Sequence, residues 1–175
     1  MPRGRELIQI PVSAVDGDGV LGEVADLVFD ARGRVSALCV IPAKGLFRKE
    51  RQVGIERFVA VGAKGAVLAA AEGLEEEPAG DKTGPAGCRL KGGPHKLWGR
   101  PILLQDGREI GTVGDVVLEE ETLEIWGFEV SDGALMDVLE GRAVVEAQGA
   151  VMRDGAVVLT DLSHMNLQPD GHPNS

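Results

Sequence analysis

Two stretches decide the fold: Leu21–Asp30, LGEVADLVFD, and Ile110–Glu119, IGTVGDVVLE. Both run apolar, Gly, polar, Val, small, Asp, three apolar residues, acid. Each follows a turn signal, Asp16-Gly17-Asp18-Gly19 in the first case and Asp106-Gly107 in the second, and each alternates imperfectly. Val-rich runs that begin just after such turns form strands rather than helices. Asp30-Ala31-Arg32-Gly33-Arg34 and Glu119-Glu120-Glu121-Thr122 then read as tight turns into a further strand, so each stretch opens an antiparallel hairpin or meander.

Outward from these stretches the match continues. Leu7, Pro11 and Val12 precede the first, and Leu97, Pro101 and Ile102 precede the second; downstream, Val35–Val40 (VSALCV) matches Ile125–Val130 (IWGFEV), and Gly65-Ala66-Val67 matches Gly155-Ala156-Val157. The offset stays at 89 or 90 residues. A register this constant marks an internal duplication. Short strands with frequent turns predict an all-β chain of two small β-barrels in tandem. The predicted bounds are 1–72 and 97–162 for the two domains. Residues 73–96, rich in Gly and Pro and carrying Glu75-Glu76-Glu77, are expected to be a flexible linker that lets the domains move. The tail 163–175 is expected to be disordered. In the second copy, Leu135–Gly141 predicts a short helical turn, capped by Ser131 or Asp132 and stopped by Gly141.

Apolar residues make up 43% of the chain and aromatics 3%, with no Tyr, so the core is built from Val, Leu, Ile and Ala. The net charge of −10 is uneven: residues 1–72 hold 10 Lys+Arg against 9 Asp+Glu, a net of +1, and residues 73–175 hold 8 against 19, a net of −11. Such a protein is repelled by nucleic acid and anionic lipid, so contact with either needs a local basic patch in the first part. Cys39 and Cys88 lack the paired spacing of a zinc or redox site. No apolar segment follows Arg3 and Arg5, and none is long enough to span a bilayer, so a cytoplasmic protein without membrane insertion is expected.

These elements, in this order and found twice, resemble the PRC-barrel family. In each copy the resemblance rests on a leading Leu with Pro-Val or Pro-Ile, then Asp-Gly, then apolar-Gly-x-Val-x-Asp-apolar-apolar, a turn and an apolar strand; Val53-Gly54-Ile55 and Gly65-Ala66-Val67 complete it in the first copy. The same small barrel occurs in the photosynthetic reaction-centre H subunit and in a ribosome-maturation factor, so the resemblance speaks for fold and does not make the chain photosynthetic. It implies a scaffolding or adaptor module that binds proteins or RNA–protein particles, with no catalytic residue to carry over.

The candidate sites are few. Asp16-Gly17-Asp18-Gly19 starts like a calcium loop but lacks its terminal Glu and flanking helices, which leaves a hairpin turn. Asp26 and Asp115 occupy equivalent places in the two copies, and a structural role such as accepting backbone hydrogen bonds at a strand bend explains their repetition. His95, His164 and His172 fall in the expected linker and tail, where no scaffold holds a metal or a nucleophile, and no cofactor motif is present. One loop stands out: Lys44, Leu46, Phe47, Arg48, Lys49 and Arg51 put four cations and an aromatic between two strands of the first copy. RNA phosphates and bases need such a loop; a solvated loop whose Phe47 closes the barrel end is the simpler account. The expected function is a non-enzymatic adaptor for protein partners, with RNA or ribonucleoprotein binding through this loop as the alternative. Small domains of this size also leave self-association open.

Overall fold

The computed structural model describes residues 1–45, 48–74, 88–132, 142–153, 155–160 and 165–168. Among these residues fourteen strands follow in chain order: β1 (Pro11–Ala14), β2 (Gly22–Phe29), β3 (Val35–Pro42), β4 (Arg51–Gly54), β5 (Phe58–Gly62), β6 (Gly65–Leu68), β7 (Cys88–Arg89), β8 (Pro101–Leu104), β9 (Glu109–Leu118), β10 (Ile125–Ser131), β11 (Arg142–Glu146), β12 (Ala150–Arg153), β13 (Ala156–Leu159) and β14 (Met165–Gln168). Helix among the described residues is confined to short 3-10 turns. The protein is all-β.

The strands make two seven-stranded sheets. The first runs β4-β3-β2-β1-β6-β5 with β7 beside β2; the second runs β11-β10-β9-β8-β13-β12 with β14 outside β11. Both are mixed, since β1 pairs with β6 and β8 with β13 in parallel. The strand order common to both sheets is the spatial form of the sequence repeat.

The leaders of the two copies are exchanged. Arg3 bridges to Val117 on β9, and the Leu118 N–H donates to the Pro2 carbonyl at 2.9 Å. Reciprocally, Arg89 on β7 lies opposite Val28 on β2. Val28 and Val117 are equivalent positions, so each copy's leader packs on the other copy's long central strand. This covers β2 and β9 on both faces, and the run Val24–Phe29 is buried without interruption. Strands covered on both faces lose the apolar–polar alternation of a half-exposed sheet, which accounts for the imperfect pattern in the sequence.

Both ends of the expected linker carry regular structure. Gly73 and Leu74 end a 3-10 turn, Cys88–Arg89 is a strand, and Leu90 is fully buried; residues 75–87 lie outside the described residues. One apolar core runs through both halves and includes Leu7, Phe29, Leu90, Leu118 and Phe128. A Gly-rich segment needs few large side chains when those few land on a strand face that is otherwise bare; fully burying a Leu contributes about 1.5–3 kcal/mol. Within the expected tail, β14 pairs antiparallel with β11 through a backbone ladder. The helical turn expected over Leu135–Gly141 falls outside the described residues.

Along the pseudo-twofold axis, equivalent residues meet. Arg34 bridges Glu124, with Val35 N–H donating to Leu123 and Ile125 N–H to Gly33 at 3.0 and 2.8 Å. The register makes Gly4 the counterpart of Leu90, and a Cβ on Gly4 would lie 2.8 Å from Leu90 Cδ2. In both cases two identical residues would repel, clash or leave a hole. The copies have diverged into complementary pairs, positive with negative and absent with large.

Candidate functional site

The carboxylates come first because they are the most buried polar groups. Asp26 and Asp115 are both fully buried. Each follows a bulge, at Ala25 and at Gly114, where one extra residue shifts the register against the neighbouring strand. A bulge re-aims the next side chain, and here the Asp is turned toward the leader of the other copy.

Asp26 accepts the N–H groups of Leu27, Lys91 and Gly92 at 2.9, 3.1 and 3.0 Å, and Arg89 Nε at 2.9 Å. Asp115 accepts the N–H groups of Val116 and Arg5 at 2.9 and 3.1 Å, Arg5 Nε at 2.7 Å and Trp98 Nε1 at 3.3 Å. The backbone-accepting role expected at a strand bend is thus present, and it joins the two halves. A buried carboxylate is tolerated only when paired and hydrogen-bonded, and both conditions are met.

The second carboxylate of each cluster differs. Arg5 Nη2 also reaches Glu129 Oε1 at 2.6 Å, and Arg3 Nε lies 3.1 Å from Glu129 Oε2. The hydrogen bond to Asp115, opposed by partial burial and reinforced by Glu129, holds the Arg5 guanidinium above its usual pKa. On β3 the position matching Glu129 is Cys39, and Arg89 Nη2 instead finds Glu50 at 2.6 Å in the loop before β4. Burial pushes the Cys39 thiol up to about 12. Cys39 and Cys88 are both free and buried. The sequence showed the paired Asp residues but not their arginines, which lie 63 and 110 positions away.

The basic loop joins β3 to β4. Lys44, Arg48 and Lys49 are exposed, Arg51 is half-buried at the start of β4 opposite Val40, and Gly45 takes a positive φ of 130°. Leu46 and Phe47 lie outside the described residues. Glu50, within the same loop, is tied down by Arg89, so one end of the loop is fastened to the leader of the second copy. His95 is exposed beside Arg100, whose Nη2 donates to the His95 carbonyl at 2.6 Å; His164 and His172 are outside the described residues. No group of side chains suited to hold a metal is found among the described residues. No helix there is long and apolar enough to cross a membrane.

Two mixed all-β sheets with this shared strand order define a tandem β-rich module with no cofactor-binding motif in its sequence. Residues 93–162, the segment that carries β8 through β13, match the family model of the PRC-barrel domain, the family that the sequence motifs resemble. A search of the curated proteins finds no match to the chain.

Proposed function

We propose that the protein is a non-enzymatic adaptor, built from two PRC-type copies locked face to face, that binds protein partners. The observation that carries this reading is the use of the buried acids. Asp26, Asp115 and Glu129 are all engaged in ion pairs between the halves, and such pairs hold a rigid platform rather than a reacting centre. The PRC-barrel match supports an interaction module. The two free cysteines suit a reducing compartment such as the cytoplasm.

A second reading has its own observation: Lys44, Arg48 and Lys49 project from one loop of the less acidic half. That loop would contact RNA or a ribonucleoprotein. A pull-down of the tagged chain from native lysate, split into nuclease-treated and untreated halves, separates the two. Defined protein partners that survive nuclease support the adaptor. Ribosomal or RNA material that vanishes with nuclease, and with replacement of Lys44, Arg48, Lys49 and Arg51 by Ala, supports the loop and sinks the adaptor.

A further inference from the structure

The second sheet ends in an open edge. Among the described residues β12 pairs only with β13, and its Val151 and Met152 are 47% and 43% exposed. An edge strand presents unpaired N–H and C=O groups, and proteins usually blunt such edges with Lys, Pro or a cover. β12 reads Ala-Val-Met-Arg, so only Arg153 at its end does so.

Beside this edge lies a cleft of about 190 Å³ lined by Lys96, Trp98, Gly99, Arg100 and the Gly155 turn that follows β12. Arg100 joins the two features, with Nη1 3.6 Å from Met152 Sδ. Among the described residues neither Lys96 nor Arg100 has a carboxylate partner, although the surrounding half carries a net charge of −11. The first half has the same edge in β5 but no such cleft chemistry, because Glu6, Ile8, Gln9 and Ile10 stand where the second has Lys96, Trp98, Gly99 and Arg100.

We infer that β12 and this cleft form a docking site for an extended segment of a partner protein, which adds as a strand to β12 and seats a carboxylate between Lys96 and Arg100. Main-chain ladder bonds supply affinity and a side-chain pocket supplies selectivity in this mode of recognition, and a guanidinium with an ammonium suits a carboxylate. A polyanion such as RNA fits less well, since it would run along an acidic half that repels it and would leave the ladder groups unpaired. The inference rests on the adaptor reading and assigns it a surface.

Panning the full chain against phage-displayed random decapeptides, in parallel with the Lys96→Glu/Arg100→Glu variant, tests it. The expected peptides alternate apolar residues and carry Asp or Glu, and they bind the double variant about tenfold or more weakly. Titrated into 15N-labelled protein, they shift the amides of Ala150–Arg153 and the Trp98 indole N–H. Lys96→Glu alone, at an exposed side chain, weakens the same peptides severalfold and keeps the test sound if the double variant misfolds. Peptides without acidic residues, equal binding to the variants, or shifts elsewhere overturn the site. So does oligouridylate competing for the same amides, or β12 shifts that grow with protein concentration alone, which point to RNA and to a second copy of the chain. Partners that survive nuclease and are captured equally by the variant remove this site while leaving the adaptor reading in place.

Discussion

The first and second halves share a strand order and a buried Asp after a bulge, yet they hold their exchanged leaders differently. In the second, Arg5 lies between two buried carboxylates, Asp115 and Glu129. In the first, Arg89 lies between buried Asp26 and the half-exposed Glu50, while Cys39 occupies the place of Glu129. Duplication within one chain frees the two copies from having to be identical, and the contacts on and near the axis have become complementary instead of symmetric. The difference teaches that these halves are made for each other.

The largest effect expected from breaking this comparison is at the arginines. Arg5→Ala takes the guanidinium from two buried acids, leaving Glu129 with Arg3 alone and Asp115 with the N–H groups of Val116, residue 5 and the Trp98 indole, and removing one partner of such a pair costs about 3–5 kcal/mol. Arg89→Ala costs less, because Arg89 serves one buried acid, Asp26, while its other partner, Glu50, can turn to water. Urea unfolding of the two variants checks the order; equal losses would mean that Glu129 adds nothing to the second latch.

Size complementarity comes next. Leu90→Ala opens a cavity at the axis and costs about 2–5 kcal/mol. Gly4→Ala forces a methyl to within 2.8 Å of both Leu90 Cδ2 and Asp115 Oδ1, and overpacking of this kind costs about 1–3 kcal/mol. Combined, the two losses come to less than their sum, since the smaller residue at 90 makes room for the larger one at 4. Strict additivity in thermal unfolding would break the claim that these equivalent residues face each other.

At Arg34 and Glu124 the effect is smaller, as both side chains are about half exposed and such pairs contribute roughly 0–1 kcal/mol. Arg34→Glu sets two acids against each other on the axis, and the swap Arg34→Glu with Glu124→Arg restores stability. The loss fades at high salt.

Cys39 sharpens the comparison only in alkali. Its thiol titrates near 12 in the folded protein and near 9.0 unfolded, so the folded state retains the proton longer. The contribution is complete below pH 9 and is lost as pH rises from about 9 to about 12. Cys39→Ala is expected to follow the wild-type pH profile below 9 and to lose less stability above it, read by urea midpoints across that range.

Much of this was legible without coordinates. The two Val-rich stretches, the Gly/Asp turns and the constant offset specify strands, their order and their duplication, because strand pattern and turn chemistry are local properties. Asp26 and Asp115 stood out for the same reason, as a polar residue repeated inside an apolar run. Lys96, Trp98 and Arg100 were hidden, since their cleft depends on where the β12–β13 turn folds back against them.

What the sequence by itself determined is the all-β class, the repeat and the apolar content of each strand. Only the tertiary structure decided that the leaders cross over, that residues 88–90 join a strand and the core, and that Arg5 and Arg89 neutralise the buried acids. The physical reason is that burial is a property of surfaces brought together. Pro2–Leu7 and Cys88–Leu90 are too short to show a period, and their order comes from the face they cover on the other half.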